Sequence, residues 1–423
     1  MKKILFIPIL FALLLFSCGR DADDGYLPQP FSDETLEYAY TLKAQGEVAS
    51  LSEMLRDAGF GDYEQVVSLL LAGSFTDQKS PALVIDFEYP SVGPDGNPAM
   101  LSARMYIRKS LWEGKKAIPG LVLANRPTIT RADLCPTQTP MIDGVLAWTK
   151  GDKAVVIPDC YGFGSTAAGN QAYLLADVTA RECLDAVLAA RALLADRHTG
   201  PPERYYTEGY SQGGHTSIAV LRCLSQNRDR YPFDFTQVFA GGGPYNIRLT
   251  TEYMLTDETT DSSFAVPLFV LSYNEYEHLG LDLSQVFREP LLSHYAEWVL
   301  SKKYTSGQIC AMIAGEHLQE PGGRHAKWAV TPAVLQCHGE LFERLMSPAE
   351  KHSLVSGWSP STSATVHLYH SPADDIVCYE NMLQLKDFLE ASGVKTVRRD
   401  LSGGHLGAAV AFFIDVIRAL GQK

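Results

Sequence analysis

The sequence predicts an α/β fold in which a mostly parallel central sheet is flanked by helices and carries a helical cap insertion. The first observation is the order of elements: apolar runs at 118–124, 154–157 and 205–207 are typical of buried strands, and a helical pattern at 173–194 separates the last two. This order indicates parallel pairing with helices on the sheet faces. The second observation is that the alternation stops between 239 and 363, where helical patterns predict an insertion over the strand ends.

The N-terminus has the pattern of an export signal. Met1-Lys2-Lys3 precedes an apolar run over 4–16, which is shorter than the roughly 20 residues of a membrane-spanning helix. A small residue directly before Cys18, with leucine three positions ahead of the cysteine, resembles a bacterial lipobox. The resemblance implies a lipoprotein signal peptide over 1–17 and a lipid anchor at Cys18 that binds the membrane. We therefore expect an exported bacterial lipoprotein of the cell envelope, at the outer membrane or cell surface; the alternative is an ordinary secretory peptide with an incidental cysteine.

The next segment, 18–80, is expected to be a tether followed by an N-terminal helical segment, with helices near 33–45 and 63–71. A turn cluster over 93–98 then separates two alternating stretches, 83–89 and 100–107, and this pattern predicts a hairpin where the sheet begins.

The alternation of strands and helices resumes after the insertion. Residues 365–369 and 397–400 read as strands, 380–391 as the helix between them, and 406–420 as a closing helix. The predicted domain boundaries follow from these patterns: α/β core over 81–246 and 361–423, and helical cap over 247–360.

Charge and cysteine content exclude several classes of function. The formal net charge is −13 at pH 7, and loss of Lys2 and Lys3 with the signal peptide makes it more negative. No basic run interleaved with aromatic residues is present, so we expect no nucleic-acid partner. The cysteines after Cys18 show neither CxxC pairs nor metal-ligand spacing. We expect no metal site, no cofactor and no obligatory disulfide.

The strongest local motif is Gly209-Tyr210-Ser211-Gln212-Gly213-Gly214, which follows the strand at 205–207 and precedes a helical run. A strand-to-helix turn this tight leaves no room for side chains two positions before and two positions after the serine, and it raises the hydroxyl above the sheet. In this setting the motif predicts a nucleophile elbow with Ser211 as nucleophile.

A serine hydroxyl needs a base to remove its proton, and the chain offers an acid and a histidine in the usual order after the serine. Asp374 lies on the loop after the strand at 365–369, and His405 opens the last helix after two glycines. The loop from His370 resembles the hydrolase pattern H-G-x-x-D-x-x-V-P, which favours Asp374 over Asp375 as the orienting acid. Asp375 is expected to be a solvated loop acid or an acceptor for backbone N–H groups.

Among the other histidines, the nearest rivals to His405 are His215, His367 and His370. His215 lies one turn into the elbow helix, and His370 precedes the acid. Chain order and loop context favour His405 over all three.

The developing oxyanion needs two N–H donors. The residue after the nucleophile, Gln212, supplies the first, and the loop after the strand at 118–124 supplies the second. Pro127 has no N–H, so Thr128 or Arg126 must serve, and Thr128 is favoured. Arg126 and Tyr210 are the expected substrate-binding side chains; the alternative for Arg126 is a salt bridge at the pocket rim.

These motifs, together with the loop Pro158-Asp159-Cys160-Tyr161-Gly162-Phe163-Gly164, resemble bacterial α/β-hydrolases close to the secretory lipase group over about 80–423. The resemblance implies an α/β-hydrolase fold, a helical cap over the site and hydrolysis of a small-molecule ester or acyl substrate through an acyl-enzyme. A serine peptidase of the same fold is the first alternative, because acidic cap residues such as Glu275, Glu277 and Glu297 could grip an N-terminal amine. A non-catalytic binding protein on the same scaffold is the second.

Overall fold

A computed structural model describes residues 29–30, 40–61, 71 and 73–422. The predicted signal peptide 1–17, Cys18 and the helix near 63–70 lie outside the described residues. Within that part of the chain, none of the helices combines the length and the apolar character that crossing a bilayer requires.

The described strands form one ten-stranded sheet, in the order β1-β2-β3-β4-β6-β5-β7-β8-β9-β10. Pairing is antiparallel from β1 to β4 and between β4 and β6, and parallel from β6 onward. The strands are β1 Gln29–Pro30, β2 Thr41–Val48, β3 Ala82–Val92, β4 Pro98–Arg108, β5 Gly120–Asn125, β6 Lys153–Pro158, β7 Arg204–Tyr210, β8 Phe235–Gly241, β9 Thr365–His370 and β10 Lys395–Asp400.

Helices cover both faces of the sheet and fill the insertion. The α-helices are α1 Leu51–Leu55, α2 Lys109–Trp112, α3 Ala176–Arg197, α4 Gln212–Gln226, α5 Ile247–Thr256, α6 Ala265–Tyr276, α7 Leu283–Val286, α8 Leu291–Tyr295, α9 Ser306–Ala314, α10 Pro332–Leu335, α11 Glu340–His352, α12 Glu380–Ala391 and α13 His405–Leu420. Shorter 3₁₀ and π turns are Arg56–Phe60, Ala132–Leu134, Ile142–Trp148, Gly164–Thr166, Ala296–Leu300, Gly315–Gln319 and Ala326–Trp328.

Two apolar layers enclose the sheet. Helices α3, α4 and α12 pack on one face, and α1, the Ile142–Trp148 turn and α13 pack on the other. The central strands β5 and β6 are buried at every position and are apolar along most of their length, because both of their faces are covered. The predicted α/β class, the mostly parallel sheet, the hairpin of β3 and β4, and the closing helix are therefore all observed.

Helices α5 to α11 pack around a separate apolar cluster. Leu268, Phe269, Leu345 and Met346 lie in this cluster, and each is at most 4% exposed. These helices lie between β8 and β9 in the chain, where the alternation of the sequence stops. We refer to residues 247–352 as the cap helices.

Two sequence expectations for the sheet are wrong. The helix expected over 33–45 is not formed in its described part, because Thr41–Val48 is a strand that pairs antiparallel with β3. The segment 18–80 is therefore more than a tether and helices: β2 and α1 belong to the sheet and its core. In addition, strand β8 is absent from the predicted strands, because its sequence lies where the alternation of strands and helices stops.

Candidate active site

Ser211 occupies a sharp turn between β7 and α4. Its backbone has φ 59° and ψ −123°, a left-handed conformation that costs a non-glycine residue roughly 1–3 kcal/mol. Its N–H donates to the carbonyl of Gly241 at 2.8 Å, and its carbonyl accepts from the N–H of His215 at 3.1 Å. The strained conformation is therefore held from β8 on one side and from α4 on the other.

The neighbouring glycines are required by backbone contacts. A Cβ on Gly213 would lie 2.1 Å from the carbonyl oxygen of Asn125, and one on Gly209 would lie 2.4 Å from the carbonyl of Gly213. A Cβ on Gly214 would lie 2.3 Å from the carbonyl of Gly241. All three obstacles are main-chain atoms, which cannot swing aside as a side chain can. The elbow thus has the steric requirement that its sequence motif predicts.

His405 and Asp374 form a buried, hydrogen-bonded pair. His405 begins α13, and its Nδ1 donates to Asp374 Oδ2 at 2.8 Å and Oδ1 at 3.0 Å. The Nε2 of His405 is buried and has no hydrogen-bond partner among the described residues. The imidazole ring lies 5.0 Å from the ring of Tyr210, the neighbour of Ser211. The nitrogen without a partner, Nε2, is therefore on the opposite side of the imidazole ring from Asp374.

The Asp374 carboxylate is surrounded by donors. Oδ1 accepts the backbone N–H groups of Ile376 and Val377 at 2.9 and 2.8 Å, and Oδ2 lies 3.2 Å from Nε2 of His370. Burial raises the pKa of this carboxyl, but the nearby His405 and His370 outweigh burial and hold the pKa well below its usual range. Asp374 is thus ionised and fixed in orientation.

The adjacent acid, Asp375, has a different partner on the same histidine. Its Oδ1 accepts the backbone N–H of His405 at 2.8 Å, and its own carbonyl accepts the N–H of Asp261 at 3.0 Å. An acceptor at the first turn of α13 satisfies an N–H that has no partner inside the helix. Asp374 therefore contacts the ring of His405 and Asp375 its main chain, which matches the second of the two roles that the sequence left open for Asp375.

The three rival histidines make other contacts. His215 points its Nε2 toward the carbonyl of His352 at 3.3 Å, and burial lowers its pKa to about 3. His367 stacks on Phe239 and contacts Gln237. His370 is fully buried; it donates to the carbonyl of Val377 at 2.9 Å in addition to its contact with Asp374. The sequence pattern did not indicate the contact of His370 with Asp374, although the two residues are four positions apart.

The two residues expected to donate to the oxyanion lie at the ends of neighbouring strands. Gln212 is the first residue of α4, where backbone N–H groups have no acceptor within the helix. Thr128 lies in the loop after β5, and it lines the same cavity as Ser211. Both residues are therefore at the carboxyl edge of the sheet, beside the nucleophile.

Arg126 and Tyr210 do not take the positions expected for substrate-binding side chains, and neither lines the cavity at Ser211. Arg126 is buried; it donates to the carbonyl of Asp159 at 2.9 Å, and its guanidinium lies 4.6 Å from the ring centre of Phe163. Tyr210 is buried between the rings of His405 and Phe412. Tertiary packing thus makes both residues supports of the site, and no salt bridge of Arg126 occurs within the described chain.

A cavity adjoins Ser211. Its walls come from the elbow, from the loops after β5, β6, β8 and β9, and from α5 and α6 of the cap helices. Apart from the serine, they are apolar or carry only hydroxyl groups: Thr128, Tyr173, Leu174, Pro244, Ile247, Thr250, Thr251, Met254, Phe264, Ala265, Val266, Phe269, Ile376 and Val377. No charged side chain is among them. No local sequence pattern indicated that Tyr173 and Leu174 reach the cavity, which they do from the loop after β6.

Within the described residues, no group of three or more His, Cys, Asp or Glu side chains is arranged to hold a metal ion. The cysteines described are all unpaired thiols. The polar side-chain groups that line the cavity are hydroxyls, among them that of Ser211.

No family model matches the sequence, and no curated protein matches it. Solved structures do match the fold. A protein described as a hydrolase, from Legionella pneumophila, aligns with a TM-score of 0.70 at 18% identity, over 91% of this chain and 98% of its own. The rice cell wall degrading esterase LipA of Xanthomonas oryzae aligns with a TM-score of 0.64 at 20% identity, over 90% and 96%.

Candida antarctica lipase A aligns with a TM-score of 0.55 at 14% identity, over 86% of this chain and 77% of its own. The alignments with the three structures cover 86–91% of this chain. At these identities the likeness establishes the fold. The chain therefore has the α/β-hydrolase fold.

Proposed function

We propose that the protein is a serine hydrolase that cleaves carboxylic esters with an apolar acyl group, through an acyl-enzyme on Ser211. The observation that carries the proposal is the buried Asp374–His405 pair: its Nε2 has no partner, and its imidazole ring packs against Tyr210, the residue before the strained serine at the wall of an apolar cavity. A non-catalytic protein on the same scaffold would have no use for a buried ionised acid and a buried imidazole nitrogen without a partner.

In the acylation step, the Ser211 Oγ attacks the ester carbonyl and its proton passes to Nε2 of His405. The ionised Asp374 stabilises the imidazolium through Nδ1. The backbone N–H groups of Gln212 and Thr128 donate to the oxyanion of the tetrahedral intermediate. Collapse of the intermediate breaks the ester C–O bond, and His405 returns the proton to the departing alcohol.

In the deacylation step, water takes the place of the alcohol. His405 removes a proton from the water, the hydroxide attacks the acyl carbonyl, and the second tetrahedral intermediate releases the carboxylic acid. The proton returns to Ser211. All proton transfers in this cycle use the same nitrogen, which is why its freedom from other hydrogen bonds matters.

The lining of the cavity favours an ester over a peptide substrate. A peptidase that trims peptide ends needs a carboxylate or similar group for the terminal amine, and no carboxylate lines the cavity. The acidic cap residues considered for that role lie away from the cavity lining. Glu277 is paired with Lys351 and His352. Glu275 is exposed and accepts a hydrogen bond from Asn170, and Glu297 is also exposed. The structural neighbours described as esterase and lipase support the same choice.

The test combines labelling with turnover. Wild-type protein is expected to react with a fluorophosphonate probe and to hydrolyse p-nitrophenyl esters, with p-nitroanilides of amino acids turned over far more slowly. Ser211→Ala is expected to do neither. Equal labelling of wild type and Ser211→Ala, or no labelling of either, would contradict the proposal, and faster turnover of the anilides would favour the peptidase.

We also propose that the chain is exported and anchored through a lipid on Cys18, because of the sequence motif at the N-terminus. In a bacterium that processes lipoproteins, the full-length protein is expected to incorporate labelled palmitate and to sediment with membranes. Cys18→Ala is expected to lose both properties. Membrane association that persists in this variant would contradict the anchor.

A further inference from the structure

Lys302 is a buried cap residue whose ammonium group is enclosed by main-chain carbonyls of the core. Its Nζ donates to the carbonyl of Ala167 at 2.8 Å and also to those of Gly162 and Gly169. An ammonium has three donors, so all three are satisfied by one loop, the segment after β6. The side chain therefore ties the cap to that loop.

The main chain of the same cap segment holds a second loop. The carbonyl of Lys302 accepts the N–H of Ala132 at 2.9 Å, and the carbonyl of Tyr304 accepts the hydroxyl of Thr130 at 2.8 Å. Thr130 and Ala132 lie two and four positions after Thr128, in the loop that follows β5. This part of the loop is thus fixed to the cap.

The two loops meet at the cavity. From Gly169 the chain continues for four residues to Tyr173, which forms the cavity wall together with Thr128. Lys302 holds both loops, one through its ammonium group and the other through its carbonyl. Its φ of 54° is a left-handed conformation that a lysine keeps only when the surrounding contacts determine it.

We propose that Lys302 is a positioning residue that sets the Thr128 N–H at the oxyanion, so that the cap helices take part in catalysis as well as in substrate binding. The inference rests on the proposed esterase function. An oxyanion donor acts only within about 2.7–3.1 Å of the oxygen, and a displacement of about 1 Å lowers the rate on the order of 100-fold. Releasing the loop that carries Thr128 is therefore expected to lower kcat more than it raises KM.

The experiment compares Lys302→Met with Lys303→Met. Methionine keeps most of the aliphatic stem and removes the ammonium, and Lys303 is the exposed neighbour of Lys302 in the same segment. For an ester that wild type hydrolyses, kcat of Lys302→Met is expected to fall about 10- to 100-fold with KM changed less than about 3-fold. Lys303→Met is expected to match wild type.

A second measurement separates positioning from a merely structural role. A trifluoromethyl ketone forms a tetrahedral adduct with Ser211 that carries an oxyanion, and the matching methyl ketone binds largely as the neutral carbonyl. Lys302→Met is expected to weaken inhibition by the first compound about 10- to 100-fold and by the second less than about 3-fold. Equal weakening of both, or a lower melting temperature with kcat unchanged, would overturn the proposal.

Thr130→Val gives the same test if Lys302→Met fails to fold, because it removes only the hydroxyl that donates to Tyr304. It is expected to lower kcat and trifluoromethyl ketone affinity in the same direction, by a smaller factor. If folded Lys302→Met and Thr130→Val both retain wild-type kcat and inhibition, the inference is wrong. If wild type hydrolyses no ester and is not labelled by a fluorophosphonate, the proposed function itself has failed.

Discussion

The elbow at Ser211 and the cap helices border the same cavity, but they are held in place by different interactions. Around the elbow, main-chain oxygens lie 2.1–2.4 Å from where a Cβ would sit on Gly213, Gly209 or Gly214, which leaves no freedom to adjust. The cap is held by an apolar cluster and by polar contacts such as that of Lys302. The elbow can therefore fix the chemistry rigidly, while the cap can change the substrate range through side chains that tolerate replacement.

The largest expected effect is on the elbow itself. Ser211→Ala removes the nucleophile but keeps a residue that meets the same φ, so kcat/KM is expected to fall on the order of 10⁴-fold or more with the melting temperature nearly unchanged. Steady-state kinetics on a p-nitrophenyl ester and a thermal melt check the two parts. Residual activity within 10-fold of wild type would place the nucleophile elsewhere.

Beside the elbow, the two adjacent acids contact different parts of His405, and their variants test whether they have different roles. Asp374→Asn keeps the shape but removes the charge that holds the His405 tautomer, and kcat is expected to fall about 10⁴-fold. Asp375→Asn keeps an oxygen for the His405 N–H, and kcat is expected to fall less than about 10-fold. Equal losses in the two variants would show that the acids share one role.

A glycine comparison tests the steric contrast directly. Gly213→Ala places a methyl group 2.1 Å from the main-chain oxygen of Asn125, and the free energy of unfolding is expected to fall by about 3 kcal/mol or more. In Gly307→Ala, in α9 of the cap, the added Cβ meets nothing within 4 Å, and the free energy of unfolding is expected to rise by up to about 1 kcal/mol. Urea unfolding measures both, and similar values for the two variants would remove the contrast.

A cap substitution is expected to change selectivity rather than chemistry. Ala265 lines the cavity at the start of α6, and Ala265→Leu extends an apolar side chain into the space for the acyl group. Activity on long-chain esters is expected to fall about 10- to 200-fold relative to the acetyl ester. Kinetics on p-nitrophenyl esters of graded chain length measure the ratio, and an unchanged ratio would mean that the acyl group lies elsewhere.

At neutral pH the smallest expected effect concerns the contact of His215, on α4, with His352 in the cap. Burial lowers the pKa of His215 to about 3, below the ordinary histidine value near 6.5, so the unfolded chain binds the proton first. Stability from this group is present above about pH 6.5 and falls by up to about 1.4 kcal/mol per pH unit between there and pH 3. His215→Asn is expected to reduce the slope of unfolding free energy against pH; an unchanged slope would contradict the assignment.

The sequence was most informative where the deciding contacts are local or follow chain order. The glycines around Ser211 are required by a turn of a few residues, and the order of serine, acid and histidine indicated the residues that the structure brings to one edge of the sheet. It was least informative at Thr41–Val48, where a helix was expected. This segment is a strand because β3 lies beside it, and that partner is about 40 residues away in the chain.

By itself, therefore, the sequence determined the α/β class, the elbow, the hairpin and the insertion, because sterics within a turn and the periodicity of apolar residues are properties of short segments. The tertiary structure decided which carboxylate contacts the His405 ring, turned Arg126 and Tyr210 into supports, and brought Lys302 to a loop some 140 residues away. Those outcomes depend on hydrogen bonds and packing between distant segments, and such contacts exist only once the sheet and the cap have come together.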